Sequence, residues 1–500
     1  MSSESLATHD RTSEVAHRAR GWVLAHWHVL VVWAAMLAWT AAVFAAVRSE
    51  YEEYQLGRFD LGNMVQAVWS TAHGRPLEST SGAGEQFTRL GSHVDPILVL
   101  LAPLWAVFPS PLTLAAAQVA AVSLGALPVF WLGRRHLASE NAALILAVVY
   151  LAYPWLAWTA LDAIHPVTFA IPLLLLAVWF LDTDRIGPFL LCAVLAASTG
   201  ELMGITLAAL GVWYALARGR RRAGLLVAVA GLAWTLVALQ IVVPAFSGEG
   251  SAFYGFYDRV GGSPSGILRT AVSDPSVILS ELFAGNVLVY VIALTVPLVG
   301  LFLLAAGLAA VALPALGILA LADGAGPLDP RQHYLAAIIP FLVAATVLGI
   351  ARLRPRDHVP VALTTLLVTV GMWAIFGPWS GAPAASTFWY QSAMSDRHVA
   401  ALDRATALVP ADAAVSASNR VGGHLSTRRH IYSFPVLGDA EWIVLDTHDL
   451  WLSEPGRPDL VERPPGHVRA LAERLRRDAR WAVVFEEDGV YVFRKLAART

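Results

Sequence analysis

Stretches without a single charged side chain recur along the whole chain, at 22–47, 112–133, 142–161, 167–181, 225–246, 287–322, 335–350 and 359–378. Few architectures can absorb them. About 20 apolar residues cross a bilayer as a helix, which satisfies its own backbone hydrogen bonds where no water can. Only 14% of the 500 residues are charged and 57% are hydrophobic, whereas a soluble domain carries roughly 25% charge. The mean hydropathy of +0.58 agrees. The chain therefore reads as a polytopic α-helical membrane protein. The first run is too long for the apolar part of a signal peptide and is read as a retained first helix. A net charge of −2 gives no reason to expect a nucleic-acid partner. The single Cys192 excludes an intramolecular disulfide and reads as a small buried hydrophobe.

Short cytoplasmic loops collect Arg and Lys. The basic clusters are Arg11/Arg18/Arg20, Arg134-Arg135-His136, the run 218–222 and the run 352–356. Holding all of them inside fixes the threading. Residues 1–21 form a cytoplasmic tail, 48–110 a long external loop, and the span count comes to about eleven. The stretch 94–108 cannot span under this threading. It holds Pro103 and is read as a helix at the outer interface, with a second such helix near Asp60. The predicted transmembrane domain covers 22–378. Residues 379–500 are mixed in character, with short β-rich runs around an amphipathic helix and a Glu-Asp-Gly turn near the end. They are read as a small external α/β domain.

Ionisable groups at membrane depth are costly and are functional candidates for that reason. By the threading, Asp60, His93, Asp95, Asp162, His165, Glu201, Asp329, Arg331 and His333 all gather on the outer side, while the inner side holds mainly Arg. That asymmetry points to one outward-facing site. Each residue also has a structural reading. Asp60 and the His93–Asp95 pair suit helix caps. Asp162 and His165 suit a helix end, and Arg331, His333 and Tyr334 suit interfacial anchors. Glu201 lies between two apolar runs and is harder to assign to structure alone. His424, His430, His448 and His467 read as surface residues.

Several segments then resemble a family of predicted bacterial membrane proteins catalogued as a domain of unknown function. They are FDLGNMVQAVWSTAHGRPL (59–77), SHVDPILVLLAPLWAVFPSPLTL (92–114), DAIHPVTFAIPLLLLAVW (162–179), HYLAAIIPFL (333–342) and LVPADAAVSASNRVGGHLSTRRHIYSFP (408–435). The chain departs from the family pattern around Ser92-His93-Val94-Asp95-Pro96 and at Gly200-Glu201-Leu202, where flanking charged residues are absent. The family in turn resembles the GT-C glycosyltransferases, which include protein O-mannosyltransferases and lipid A aminoarabinose transferases.

The resemblance implies that Asp60 and Asp162 are the catalytic acids of the first and second external loops, with Glu201 positioning acceptor or sugar. It implies a sugar donor on a polyprenyl phosphate, an acceptor in the cell envelope and a site at the external face of a bacterial plasma membrane. Asp60 is expected to be the base, partly desolvated between Phe59 and Leu61. Arg331 and His333, with Arg58 and His165 in reserve, are expected to hold the phosphate. His93, Asp95 and Tyr334 complete the expected binding set. No cofactor is expected; a divalent metal, used by some GT-C enzymes, is not favoured. Oligomeric state is open. Two other classes remain at this point: a transporter or flippase of a lipid-linked intermediate, and a non-catalytic envelope scaffold.

Overall fold

The computed structural model describes residues 3–162, 164–248, 252–324, 326–379, 394–453 and 460–497. The apolar runs fold as helices, as leucine- and alanine-rich segments in hydrocarbon must. Among the described residues, five helices are long and apolar enough to cross a membrane: His26–Glu52, Pro111–His136, Arg221–Ser247, Leu301–Leu321 and Pro355–Phe376. Two bent pairs pass the same test, Glu140–Ala152 with Pro154–Leu161 (46°) and Pro275–Leu282 with Gly285–Leu298 (43°). The first bend falls at Pro154, which has no N–H to continue the helical ladder. Shorter apolar helices cover Pro96–Val107, Pro166–Asp182, Ile186–Ala197, Met203–Ala217 and Ile339–Ile350. Several expected spans are thus well under full length. The expected tail 1–21 is continuous with the first span, since one helix runs from Ser3 to Glu52 and its span-capable part begins at His26.

The bundle has two chemically different ends. Asp182 gathers Arg135 (2.8 Å), His136 (2.8 Å) and Arg218 (3.3 Å) at one of them. His358, just beyond the fourth basic cluster, accepts a hydrogen bond from the Ala138 amide at 3.1 Å. Three basic clusters therefore share an end, as the threading requires. The bent Glu140–Leu161 pair starts there and delivers Asp162 to the opposite end.

At that opposite end the first loop meets the last part of the chain. The loop carries a hairpin of β1 (Glu78–Thr80) and β2 (Gln86–Thr88). Residues 394–497 carry β3 (Val415–Ala417), β4 (Ile431–Ser433), β5 (Trp442–Asp446), β6 (Trp451–Ser453), β7 (Leu460–Glu462), β8 (Trp481–Glu487) and β9 (Val490–Lys495). Five of these form a mixed sheet in the order β4-β3-β5-β9-β8, parallel across β4-β3-β5 and antiparallel beyond, while β6 pairs with β7. The expected turn between β8 and β9 is made by Asp488 and Gly489, both at positive φ (49° and 80°), the conformation of a tight I′ hairpin. The boundary expected near residue 378 adjoins 380–393, which lie outside the described residues.

The two pieces interlock through glycine. The helix Asn419–His424 lies so close to 56–62 that a Cβ on Gly423 would sit 2.3 Å from the Leu56 carbonyl oxygen, and one on Gly57 2.2 Å from the Asn419 amide. Tyr54 is buried in the same apolar cluster as Leu402, Val421 and Ile431. Only residues without a Cβ permit such an approach.

Candidate active site

Asp60 lies in a single π-helical turn, Arg58–Gly62, that runs directly into the helix Asn63–Ala72. Turns of this kind are rare and concentrate at functional sites. The turn is clamped from the carboxy-terminal segment. The Asn419 side chain accepts a hydrogen bond from the Phe59 amide at 2.9 Å. Arg58, 2% exposed, donates to Ser433 Oγ (2.6 Å) and to the carbonyls of Thr80 (2.8 Å) and Ile431 (2.9 Å). Gln66 donates to the Arg429 carbonyl (2.8 Å) and accepts from the Thr80 amide (2.9 Å). Asp60 itself makes no capping bond. Its side chain is 51% exposed, so it is not the desolvated carboxylate expected between Phe59 and Leu61.

Its partner is His165, with Nε2 at 3.7 Å from the Asp60 carboxylate. His165 Nδ1 donates to the Asp162 carbonyl at 2.9 Å, and its backbone N–H donates to Gln118 Oε1 at 2.9 Å. Gln118 also accepts from Thr168 Oγ1 (2.9 Å) and donates to the Ala160 carbonyl (3.1 Å). The Asp162 carboxylate accepts both the backbone N–H and Nδ1–H of His333, each at 2.8 Å. The rings of His165 and His333 stack 3.5 Å apart at 11°. Tyr334 is half-exposed, with its ring 4.2 Å from His333. Residues 171 positions apart thus meet in one hydrogen-bonded group.

Charge follows from these contacts. Burial works to raise the Asp162 carboxyl, but the positive His165 and the His333 hydrogen bonds overcome it and hold it at about 2. Burial works to lower His165, but Asp162 and then Asp60 outweigh it and raise the ring to about 9. His333 goes the other way: its own burial, with the charge of His165 against it, pushes it below the usual histidine range. At neutral pH the group holds a charged imidazolium between two carboxylates, with a neutral imidazole stacked on it.

The other expected residues divide. Glu201 bonds elsewhere than to Asp60 or Asp162: its carboxylate meets His93 Nδ1 at 3.3 Å and accepts the Val94 amide at 3.0 Å. Burial works to raise it, but His93 and these bonds hold it at about 2. The His93 ring also lies 4.5 Å from Phe253. Asp95 is 2% exposed and ion-paired with buried Arg89 at 2.8 Å. Arg58 is buried, with both terminal nitrogens taken up in the clamp just described and its Nε left without a hydrogen-bond partner. Arg331 donates Nε–H to Asp329 at 2.7 Å and pairs with the same carboxylate through a second nitrogen.

His424 is not the surface residue expected. It stacks on Tyr51 (4.1 Å) and Tyr54 (3.8 Å), and burial lowers it to about 4. Gln118 and Asn419 were not singled out from sequence. The signal for Gln118 was present, a carboxamide inside an otherwise apolar run.

The donor atoms of Asp162, His165 and His333 lie within 4.8 Å of one another. They have the chemistry of metal ligands, although Asp162 and His333 already satisfy each other directly.

Residues 50–492 match the family described as Predicted membrane protein (DUF2079). A search of curated proteins finds no match. Among solved structures, ArnT from Cupriavidus metallidurans in the apo state is similar, with a TM-score of 0.52 and 14% identity over 91% of this chain and 97% of that one. The same protein bound to undecaprenyl phosphate gives 0.51 and 13% over 96% and 99%. ArnT is a GT-C glycosyltransferase, and the likeness extends over nearly the whole of both chains. The chain belongs to the DUF2079 family of predicted membrane proteins and shares the GT-C fold of ArnT.

Proposed function

We propose that this protein is a membrane glycosyltransferase that moves a sugar from a polyprenyl-phosphate donor to an envelope acceptor at the external face of a bacterial plasma membrane. The observation that carries the reading is the half-exposed Asp60, held by a rigid clamp 3.7 Å from a charged His165. The fold match to ArnT, solved with undecaprenyl phosphate, supports a lipid-borne donor. In this reading the two bent pairs and every shorter apolar helix except Pro96–Val107 are spans, about eleven in all once they thin the bilayer or tilt to fit. Basic clusters face the cytoplasm, and the Asp60 loop and residues 379–500 lie outside.

The chemistry needs a base, a cation and positioning. Asp60 takes the proton of the acceptor hydroxyl as its oxygen bonds to the anomeric carbon. The bond from that carbon to the phosphate oxygen breaks, and the polyprenyl phosphate leaves with the electron pair. The His165 imidazolium meets the charge that develops there. Asp162 keeps His165 charged and fixes His333, while Gln118 holds the His165 backbone. Glu201 and His93, with Phe253 beside them, line a second polar group suited to the sugar or acceptor. Asp162, His165 and His333 serve here as a hydrogen-bonded relay with no metal.

The reading is tested with membranes of a strain lacking the protein. A polyprenyl-phosphate sugar should accumulate there, and adding the purified protein should discharge it to polyprenyl phosphate. No accumulation and no discharge would overturn the assignment.

A further inference from the structure

Far along the chain from the Asp60 group, residues 394–497 hold a second cluster with the character of a binding site. His398 is in the first turn of the helix Asp396–Ala407, Asp446 ends β5, and His448 follows two residues later. The donor atoms of these three residues lie within 4.8 Å of one another. His398 Nε2 and Asp446 Oδ1 are 3.3 Å apart. Zinc bonds to nitrogen and oxygen of about 2.0–2.1 Å put neighbouring donors of a tetrahedron about 3.3–3.4 Å apart.

Two further features point to an absent ligand. Asp446 is wholly buried, yet its Oδ2 has no hydrogen-bond partner. Nε2 of His398, 4% exposed, makes no well-aligned hydrogen bond, its ion-pair contact being the Asp446 Oδ1 atom at 3.3 Å. Orphaned buried oxygens and nitrogens are rare, and each calls for an explanation. Meanwhile His398 Nδ1 donates to both the carbonyl and the carboxylate of Asp488, each at 3.1 Å. That bond fixes the tautomer and frees Nε2 to face Asp446, the usual outer support of a metal-bound histidine. The Asp446 Oδ1 atom accepts the His448 amide at 2.8 Å, which holds the loop in place. The exposed His448 ring, 4.4 Å from that of His398, gives an ion a path from solvent.

We propose that His398, Asp446 and His448 form a divalent transition-metal site, with zinc as the best-fitting ion and a fourth position open to water. Two imidazoles and one carboxylate suit zinc better than calcium or magnesium, which take oxygen ligands. The ion would pin the helix Asp396–Ala407 to the end of β5 and, through Asp488, to the β8–β9 turn. It stands independently of the glycosyltransferase reading.

The test uses the full-length protein, purified in detergent, stripped with a chelator and titrated with zinc against a chromophoric competitor. Cobalt(II) titration reports the ligand field in parallel. The wild type should hold one tight equivalent with visible cobalt bands. His448→Ala should weaken binding at least about tenfold and lose those bands, while the metal-free protein melts as before because the ring is exposed. Asp446→Asn should abolish binding; if it fails to fold, His448→Ala still decides. His333→Gln, which alters the other His/Asp group, should leave this equivalent in place. No tight equivalent in the wild type overturns the proposal. So does equal affinity in His448→Ala, or loss only in His333→Gln; the pair His398–Asp446 would then be a plain salt bridge.

Discussion

Replacing Gly423 with alanine should damage the active site from outside it. The new Cβ would lie 2.3 Å from the Leu56 carbonyl oxygen, a distance real Cβ atoms do not adopt. The obstacle is backbone, so no side chain can swing away. Reaching 3.0 Å requires the 56–62 loop to retreat by roughly 0.7 Å. Overpacking of this kind costs about 1–3 kcal/mol. Alanine returns about 1 kcal/mol in a helix, so the net loss is about 0–2 kcal/mol. The effect on turnover should be larger. Asp60 rides on the displaced loop, and a misplacement near 1 Å can cost about a hundredfold, so a loss on the order of ten- to a hundredfold is expected. Donor discharge in membranes measures the second effect, and thermal unfolding of the purified protein the first. Gly466→Ala is the control, in a helix of the same segment with nothing within 4 Å of its Cβ. If Gly423→Ala turns over like Gly466→Ala, the loop is not braced by the carboxy-terminal segment and the account of how Asp60 is held is wrong.

Other consequences follow from charge. His165 is raised from 6.5 to about 9, so the stabilisation from its positive ring is complete below about pH 6.5 and lost as pH rises through about 9. Transfer should fail over that alkaline limb, and in His165→Gln the residual rate should show no such limb; a limb that persists unchanged would assign it to another group. Asp162, lowered from 3.8 to about 2, contributes stability above pH 3.8 that is lost as pH falls toward 2. Arg89→Met strands the buried Asp95 carboxylate and should cost about 3–5 kcal/mol; chemical denaturation of the purified variant would show it, and an unchanged midpoint would mean that the pair is not buried as described.

Much of this architecture was legible in sequence because hydrocarbon leaves little choice. The apolar runs became helices, and three basic clusters met at one end as the positive-inside argument demanded. Asp60, Asp162, His165 and His333 were visible as polar residues in costly places. That Asp162 grips His333 was not, because that pairing spans 171 residues and has no local signal. Arg58 misled for the opposite reason. Its place beside Asp60 reads as a reserve cation for the phosphate, and nothing nearby shows that Thr80, Ile431 and Ser433 will close over it. The same long-range contact explains His424, which reads as a surface residue until Tyr51 and Tyr54 cover it. Desolvation of Asp60 is suggested by its apolar neighbours in sequence, but Leu61 is buried in the core while the Asp60 carboxylate stays half in solvent. Helix lengths were legible only in part: Pro154 splits a continuous apolar run that composition alone reads as straight.

The central claim is that Asp60 is the base. The most direct test compares membranes from cells expressing wild type or Asp60→Asn at equal levels, with polyprenyl-phosphate sugars and envelope glycans quantified by mass spectrometry. Asparagine preserves shape and removes the basic carboxylate, and Asp60 makes no capping bond for it to disturb. The account predicts that the variant matches a deletion strain, with one lipid-linked sugar accumulating and one glycan modification lost. A variant indistinguishable from wild type, in a background where the deletion has a clear phenotype, would contradict it.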